Sequence, residues 1–202
     1  MRIVSTVAIA ILSLLSRISS HSNCGLHLLA DTKRNLLFSM TCSTSHDPFP
    51  LNKEDGTTYS SGQKIVTMKE WQPWARKLTQ AVRHENPDAL VFVGGTNWAY
   101  DLRGMPMDVE NLVYSTHVYP NKGRNWSEAF GNLSQSKPVF VGEFGGSSDI
   151  PGDLEFVRSL MRYMRELEIG WTAWSWSNEP FLVTRYVSSA FGEAVRQELS
   201  GA

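Results

Sequence analysis

The sequence predicts an α/β fold built on parallel strands, and three observations carry that expectation. Short apolar runs alternate with amphipathic helical stretches, the pattern of repeated βα units. Hydrophobic residues make up 42% and charged residues 19% of the 202, a balance that favours a packed core over disorder or a multi-span membrane protein. Finally, four consecutive apolar runs give way at their carboxyl ends to polar and aromatic residues. In parallel sheets those ends are where chemistry collects.

The elements follow in order. Residues 1–27 form a leader: Arg2, an apolar run over 4–15, then small polar residues, the layout of a secretory signal peptide. Arg17 and the lack of an A-x-A-like site fit instead a buried helix, and the run is too short to span a bilayer. On the signal reading the protein is secreted, and residues 28–202 form one domain. Strands are expected at residues 35–41, 89–94, 112–117, 137–142 and 170–176. Helices are expected at 70–85, 153–167 and 188–199. The middle one carries Leu154, Val157, Leu160, Met161 and Met164 on one stripe, with Gly170 just past its end as the stop signal. Residues 47–62, rich in Pro, Gly and Ser, read as a long surface loop.

Several function classes fall away. Twenty acids against 19 bases leave a net charge of −1, which advertises no nucleic-acid partner. Two cysteines, Cys24 and Cys42, are too few for a disulfide framework or a four-thiolate zinc site and leave room for a single bridge in an exported chain. The five histidines are scattered, so no metal is expected. No G-x-S-x-G, H-E-x-x-H, Walker loop or G-x-G-x-x-G occurs, which removes the signals of serine hydrolases, zincins and nucleotide enzymes, and no cofactor is expected. Asn125-Trp126-Ser127 and Asn132-Leu133-Ser134 are formal glycosylation acceptors.

What remains is the strand ends. Glu143 closes the run Val139-Phe140-Val141-Gly142, which brings a carboxylate to the rim of a sheet beside glycines that leave room for a ligand. It can serve as a nucleophile, or it can cap the next helix. His117 and Tyr119 lie two apart and share one face of an extended segment, as do Trp174 and Trp176. Trp98 follows another strand end. Each has an ordinary structural role open to it; their joint occurrence at successive strand ends favours a cleft.

The stretches NLVYSTHVYP, KPVFVGEFGG and GWTAWSW, in that order and spacing, resemble the sixth, seventh and eighth strands of glycoside hydrolase family 5, the cellulase-type (β/α)8 barrels, and ALVFVGGTNWAYDL resembles the fifth. The likeness runs from about Leu28 to about Leu199 and is most specific around Glu143. It implies an incomplete (β/α)8 TIM-barrel-like fold of about five βα units, corresponding to the C-terminal part of such a barrel. It implies a glycosidase that hydrolyses O-glycosidic bonds in a β-linked polysaccharide of cellulose or mannan type. Glu143 would be the nucleophile of a retaining mechanism. His117 and Tyr119 would orient that nucleophile and bind sugar, Trp174 would form the floor under the sugar at the cleavage point, and Trp98 is a weaker match to a stacking aromatic.

The departures bear on chemistry. NLLFSMTCSTSHDPF resembles the fourth strand, where the family reads Asn-Glu-Pro-His and the Glu is the acid/base; here Ser43 or Thr44, depending on the alignment, stands in its place. A retaining enzyme needs a second carboxylate about 5–5.5 Å from the first to protonate the leaving oxygen. Asn178-Glu179-Pro180 imitates the missing motif but follows the eighth strand, the wrong place for the acid. Three βα units that the family places before the fourth strand have no counterpart in these 202 residues. The alternative is therefore an inactive carbohydrate-binding remnant or truncated gene product. Apolar strands at residues 35–41 and 170–176, left unpaired at the edges of an unclosed sheet, predict self-association.

Overall fold

The computed structural model describes residues 24–32, 35–42, 67–176, 182–184 and 187–200. The apolar run at 4–15, the 47–62 stretch, Ser43, Thr44 and Asn178-Glu179-Pro180 lie outside them. The chain divides into two compact units, Met1–Ser115 and Thr116–Ala202.

The first unit opens on β1 (Cys24–Thr32), paired antiparallel with β2 (Asn35–Cys42). The sequence gives no sign of β1, because CGLHLLADT holds a single β-branched residue, Thr32, and it begins within residues 1–27. Its presence corrects one expectation: β2 has partners on both sides, β1 on one and the parallel β3 (Leu90–Gly94) on the other. β3 in turn pairs in parallel with β4 (Leu112–Val118).

Between β2 and β3 runs α1 (Met68–Glu85), whose start is fixed by the Glu70 carboxylate. It accepts the backbone N–H of Thr67 at 3.0 Å and its hydroxyl at 2.9 Å. Trp71, Ala75, Leu78 and Val82, spaced at four, three and four residues, are buried as one stripe. The Trp71 indole N–H donates to the Gly94 carbonyl at 2.8 Å and ties the helix to the carboxyl end of β3. At the opposite end of α1 the Arg83 guanidinium donates to the carbonyls of Pro87, Ala89, Glu110 and Asn111, securing the turn into β3 and the entry to β4.

The second unit takes the end of β4 and continues through a 3-10 turn at Pro120–Lys122 and a π-helical turn at Ser127–Gly131. Strand β5 (Val139–Phe144) pairs in parallel with β6 (Gly170–Ala173). Helix α2 (Asp153–Glu166) connects them, and a short hairpin of β7 (Val183–Thr184) and β8 (Val187–Ser188) leads to α3 (Ala190–Ser200).

Two sequence expectations shift here. Phe156 joins Val157, Leu160, Met161 and Met164 in the buried stripe of α2, while Leu154 is only half-buried. The left-handed residue that ends α2 is Glu168 (φ 54°), not Gly170. Gly170 instead opens β6, where a Cβ would press on the Phe140 ring at 3.1 Å. Trp126, Phe156 and Tyr163 form an aromatic cluster with ring centroids 5.3 and 5.5 Å apart, beside which no Cβ fits at Gly131, because it would overlap the Tyr163 hydroxyl.

Candidate active site

Four of the five expected site residues, His117, Tyr119, Glu143 and Trp174, belong to the second unit. Glu143 owes its position to an irregularity of its strand. Val141 pairs with Trp171 and Phe144 with Ala173, so two residues of β5, Gly142 and Glu143, face one of β6. That extra residue is a β-bulge, a device that re-aims a side chain at a strand end. The next residue, Phe144, is fully buried and meets the rings of Trp171 (5.3 Å, 89°) and Phe191 (5.9 Å, 77°) edge to face. Packing of Phe144 thus anchors the carboxyl end of the strand that carries Glu143.

His117 near the end of β4 and Tyr119 just past it converge on one carboxylate oxygen. The Tyr119 phenol donates to Glu143 Oε2 at 3.1 Å, and His117 Nδ1 lies 3.5 Å from the same oxygen, a charge contact when the ring is protonated. The side chain of Glu143 is 28% exposed and that of His117 16%, so the group is reachable yet largely sheltered. Burial, then the charge on Glu143, then the hydrogen bond to it push the Tyr119 hydroxyl far above its ordinary value. Tyr119 is therefore a standing donor across the whole working range.

Trp174 falls beyond β6, which ends at Ala173 and not at residue 176 as the sequence suggests. Its N–H still donates to the Phe144 carbonyl at 2.8 Å, the residue is 46% exposed, and the Trp174–Ser175 peptide is cis. Trp176 is 82% exposed.

Gly145 has a role the sequence does not announce. A Cβ there would lie 2.8 Å from the Trp174 carbonyl oxygen and 3.4 Å from Tyr119 Cε1, so the glycine lets the residue after the nucleophile candidate's strand touch both neighbours. The room is taken by protein and not, as the sequence suggests, by a ligand. Gly146 plays the same part against α2, where an added Cβ would come within 3.1 Å of Asp153 and Val157. Lys122, in the turn after Tyr119, also escapes sequence reasoning: burial brings its ammonium down to about 8.

Trp98, the fifth expected residue, lies in the first unit. The loop after β3 folds back on itself through bridges Gly95–Ala99 and Thr96–Asp101. Asn97, Trp98 and Ala99 follow one another in the left-handed region at φ 56°, 55° and 64°. Such residues cost about 1–2 kcal/mol each outside glycine, so the surrounding contacts hold Trp98 in a conformation it would not choose. Gly95 permits the fold-back, since a Cβ there would overlap the Asp101 carbonyl.

Among the described residues no group of three or more His, Cys, Asp or Glu is arranged to hold a metal, and no helix is long and apolar enough to cross a membrane.

The family model described as cellulase (glycosyl hydrolase family 5) matches residues 51–180. The chain is 28% identical over 128 residues to endoglucanase E-5 of Thermobifida fusca, covering 56% of this chain and 28% of that protein. It is 24% identical over 166 residues to endoglucanase A of Evansella cellulosilytica, covering 74% of this chain and 33% of the relative. The chain thus spans only about a third or less of these relatives' length. Among solved structures, a β-glucanase of Saccharophagus degradans matches with a TM-score of 0.61 at 22% identity, over 67% of this chain and 48% of its own. The catalytic domain of T. fusca endoglucanase Cel5A, solved with cellotetraose, matches with a TM-score of 0.55 at 21% identity over 66% and 53%. These structures are barrels of which this chain matches about half, so the α/β fold is that of a partial (β/α)8 barrel.

Proposed function

The chain belongs to glycosyl hydrolase family 5, the cellulases, and from that membership we propose that it acts on the O-glycosidic bonds of a β-linked polysaccharide of cellulose or mannan type. The observation that carries the reading is the convergence of Tyr119 and His117 on one oxygen of Glu143. A carboxylate held by a permanent donor stays oriented, which is what attack on an anomeric carbon requires. In this reading Glu143 forms a covalent glycosyl-enzyme and water releases it. Trp174, with its exposed ring, offers a flat floor to the sugar, and Trp98, in the other unit, is by itself a weaker candidate for a stacking aromatic. Export to where polymeric glycans occur accords with the signal-like layout of residues 1–20, which ends before β1 begins at Cys24.

A second reading rests on Ser43 and Thr44, one of which stands where an acid/base is needed. Without that acid the site binds sugar and turns over only substrates whose leaving group needs no proton; loss of a general acid costs about 10²–10⁴ in rate. One experiment separates the two. An activated fluoro-sugar with a good leaving group should label the chain at Glu143, and Glu143→Gln should abolish the label. Activated aryl glycosides should be cleaved far better than the glycan, and Glu introduced at Ser43 or Thr44 should narrow that gap. Undiminished labelling of Glu143→Gln overturns the nucleophile, whereas saturable binding of cello-oligosaccharides without any labelling selects the inactive carbohydrate-binding protein.

A further inference from the structure

We infer that Cys24 and Cys42 form a disulfide that clips the open end of the β1–β2 hairpin. The inference does not depend on the glycosidase reading; it rests on strand register. The whole sequence holds two cysteines, and the antiparallel ladder pairs them with each other. Five consecutive Cα pairs, Cys24–Cys42, Gly25–Thr41, Leu26–Met40, His27–Ser39 and Leu28–Phe38, run in unbroken register before the first irregularity, which falls between Leu28 and Ala30. The cysteine pair is therefore the terminal rung, with the register beside it regular. Directly opposed residues of an antiparallel pair have Cα atoms about 4.5 or 5.5 Å apart, depending on the type of rung, and both spacings fall within the range a disulfide bridges.

Placement at this rung also has a topological consequence. Thr32 pairs with Asn35, so the hairpin is closed at one end by the Lys33-Arg34 connection. A bond at Cys24–Cys42 closes the other end and turns the hairpin into a covalent ring. β1 carries little β-branched content of its own, and a covalent tie removes its freedom to peel from β2.

The chemistry needs an oxidant, and a small-molecule disulfide such as glutathione disulfide supplies it. One cysteine thiolate attacks a sulfur of that disulfide and expels one glutathione thiol, leaving a mixed disulfide on the protein. The second cysteine thiolate then attacks the protein-borne sulfur and expels the second glutathione. Two protein thiols and one glutathione disulfide become one protein disulfide and two glutathione thiols.

The test uses the full chain, equilibrated with glutathione disulfide, purified as monomer, alkylated with iodoacetamide and digested with trypsin without reduction. The expected result is that neither cysteine is alkylated, that the peptide ending at Lys33 is found bonded to the peptide Asn35–Lys53, and that both thiols alkylate once the chain is reduced. Equilibration in concentrated urea should lower the bonded fraction at a given glutathione ratio at least several-fold, because the register that opposes the two residues is then gone. Single variants Cys24→Ser and Cys42→Ser should each leave the other cysteine open to alkylation or glutathionylation. Full alkylation of both cysteines in the oxidised native chain overturns the inference. So does a bonded fraction that is unchanged by urea, or a bond found only between two chains.

Discussion

At the scale of single residues, the candidate site reduces to how one carboxylate oxygen is held. Replacing Tyr119 by Phe removes the hydrogen bond to Glu143 Oε2 and leaves the ring in place. A hydrogen bond to a charged group is worth about 1.5–3 kcal/mol, so kcat on an activated aryl glycoside should fall about 10–100-fold with the fold intact by circular dichroism. An unchanged rate would dismiss Tyr119 as an orienting group. Lys122 gives a pH signature. Its ammonium, brought by burial from 10.5 down to about 8, binds fewer protons in the folded chain than in the unfolded one between those values. Stability should therefore rise with pH across that window, the opposite of what a stabilised cation produces. Comparing denaturant midpoints of the parent and Lys122→Met at pH 8 and pH 10 would reveal it, since the variant should lose that share of the rise. Tyr119 works against it only above about pH 10, where the unfolded phenol ionises and the folded one does not.

At the scale of elements, the close packing around Gly145 predicts that Gly145→Ala displaces the Trp174 backbone or the Tyr119 ring. A misplacement of such a group lowers kcat by up to about 10²-fold, and the loss should exceed that in sugar affinity measured by calorimetry. Equal losses in both would mean that the glycine serves packing alone. The same elements indicate what a sequence makes visible. β2, β3, β4 and β5 stand within two residues of their expected bounds, because apolar runs set between helices have few other ways to be satisfied. Glu143, His117 and Tyr119 were legible for the same reason: polar residues at the ends of such runs have no place in a core. The bulge at Gly142-Glu143, the service of Gly145 to protein and not ligand, and the left-handed course of Asn97–Ala99 were not legible. Each depends on a neighbouring segment distant in sequence, and no local pattern encodes it. β1 was missed because its composition does not favour a strand; pairing with β2 overrides it.

At the scale of the whole molecule, β1 moves one open edge outward and does not remove it, and among the described residues β6 has only β5 as its partner. Edges of that kind template association, so light scattering after size-exclusion chromatography should show concentration-dependent oligomers. A monodisperse monomer with one sharp thermal transition would reject that expectation. The tryptophans of this chain differ widely in surroundings, and that has an optical consequence. Trp71 and Trp126 are buried, whereas Trp174 is half-open and Trp176 almost fully in water. Long-wavelength emission, and the part of the signal that a soluble quencher reaches, should therefore come chiefly from the segment just past β6. If a glycan lies over Trp174 it should shield part of that light while the blue emission of Trp71 and Trp126 stays constant, so loss of red-edge emission on adding cello-oligosaccharide would be a label-free test of that contact.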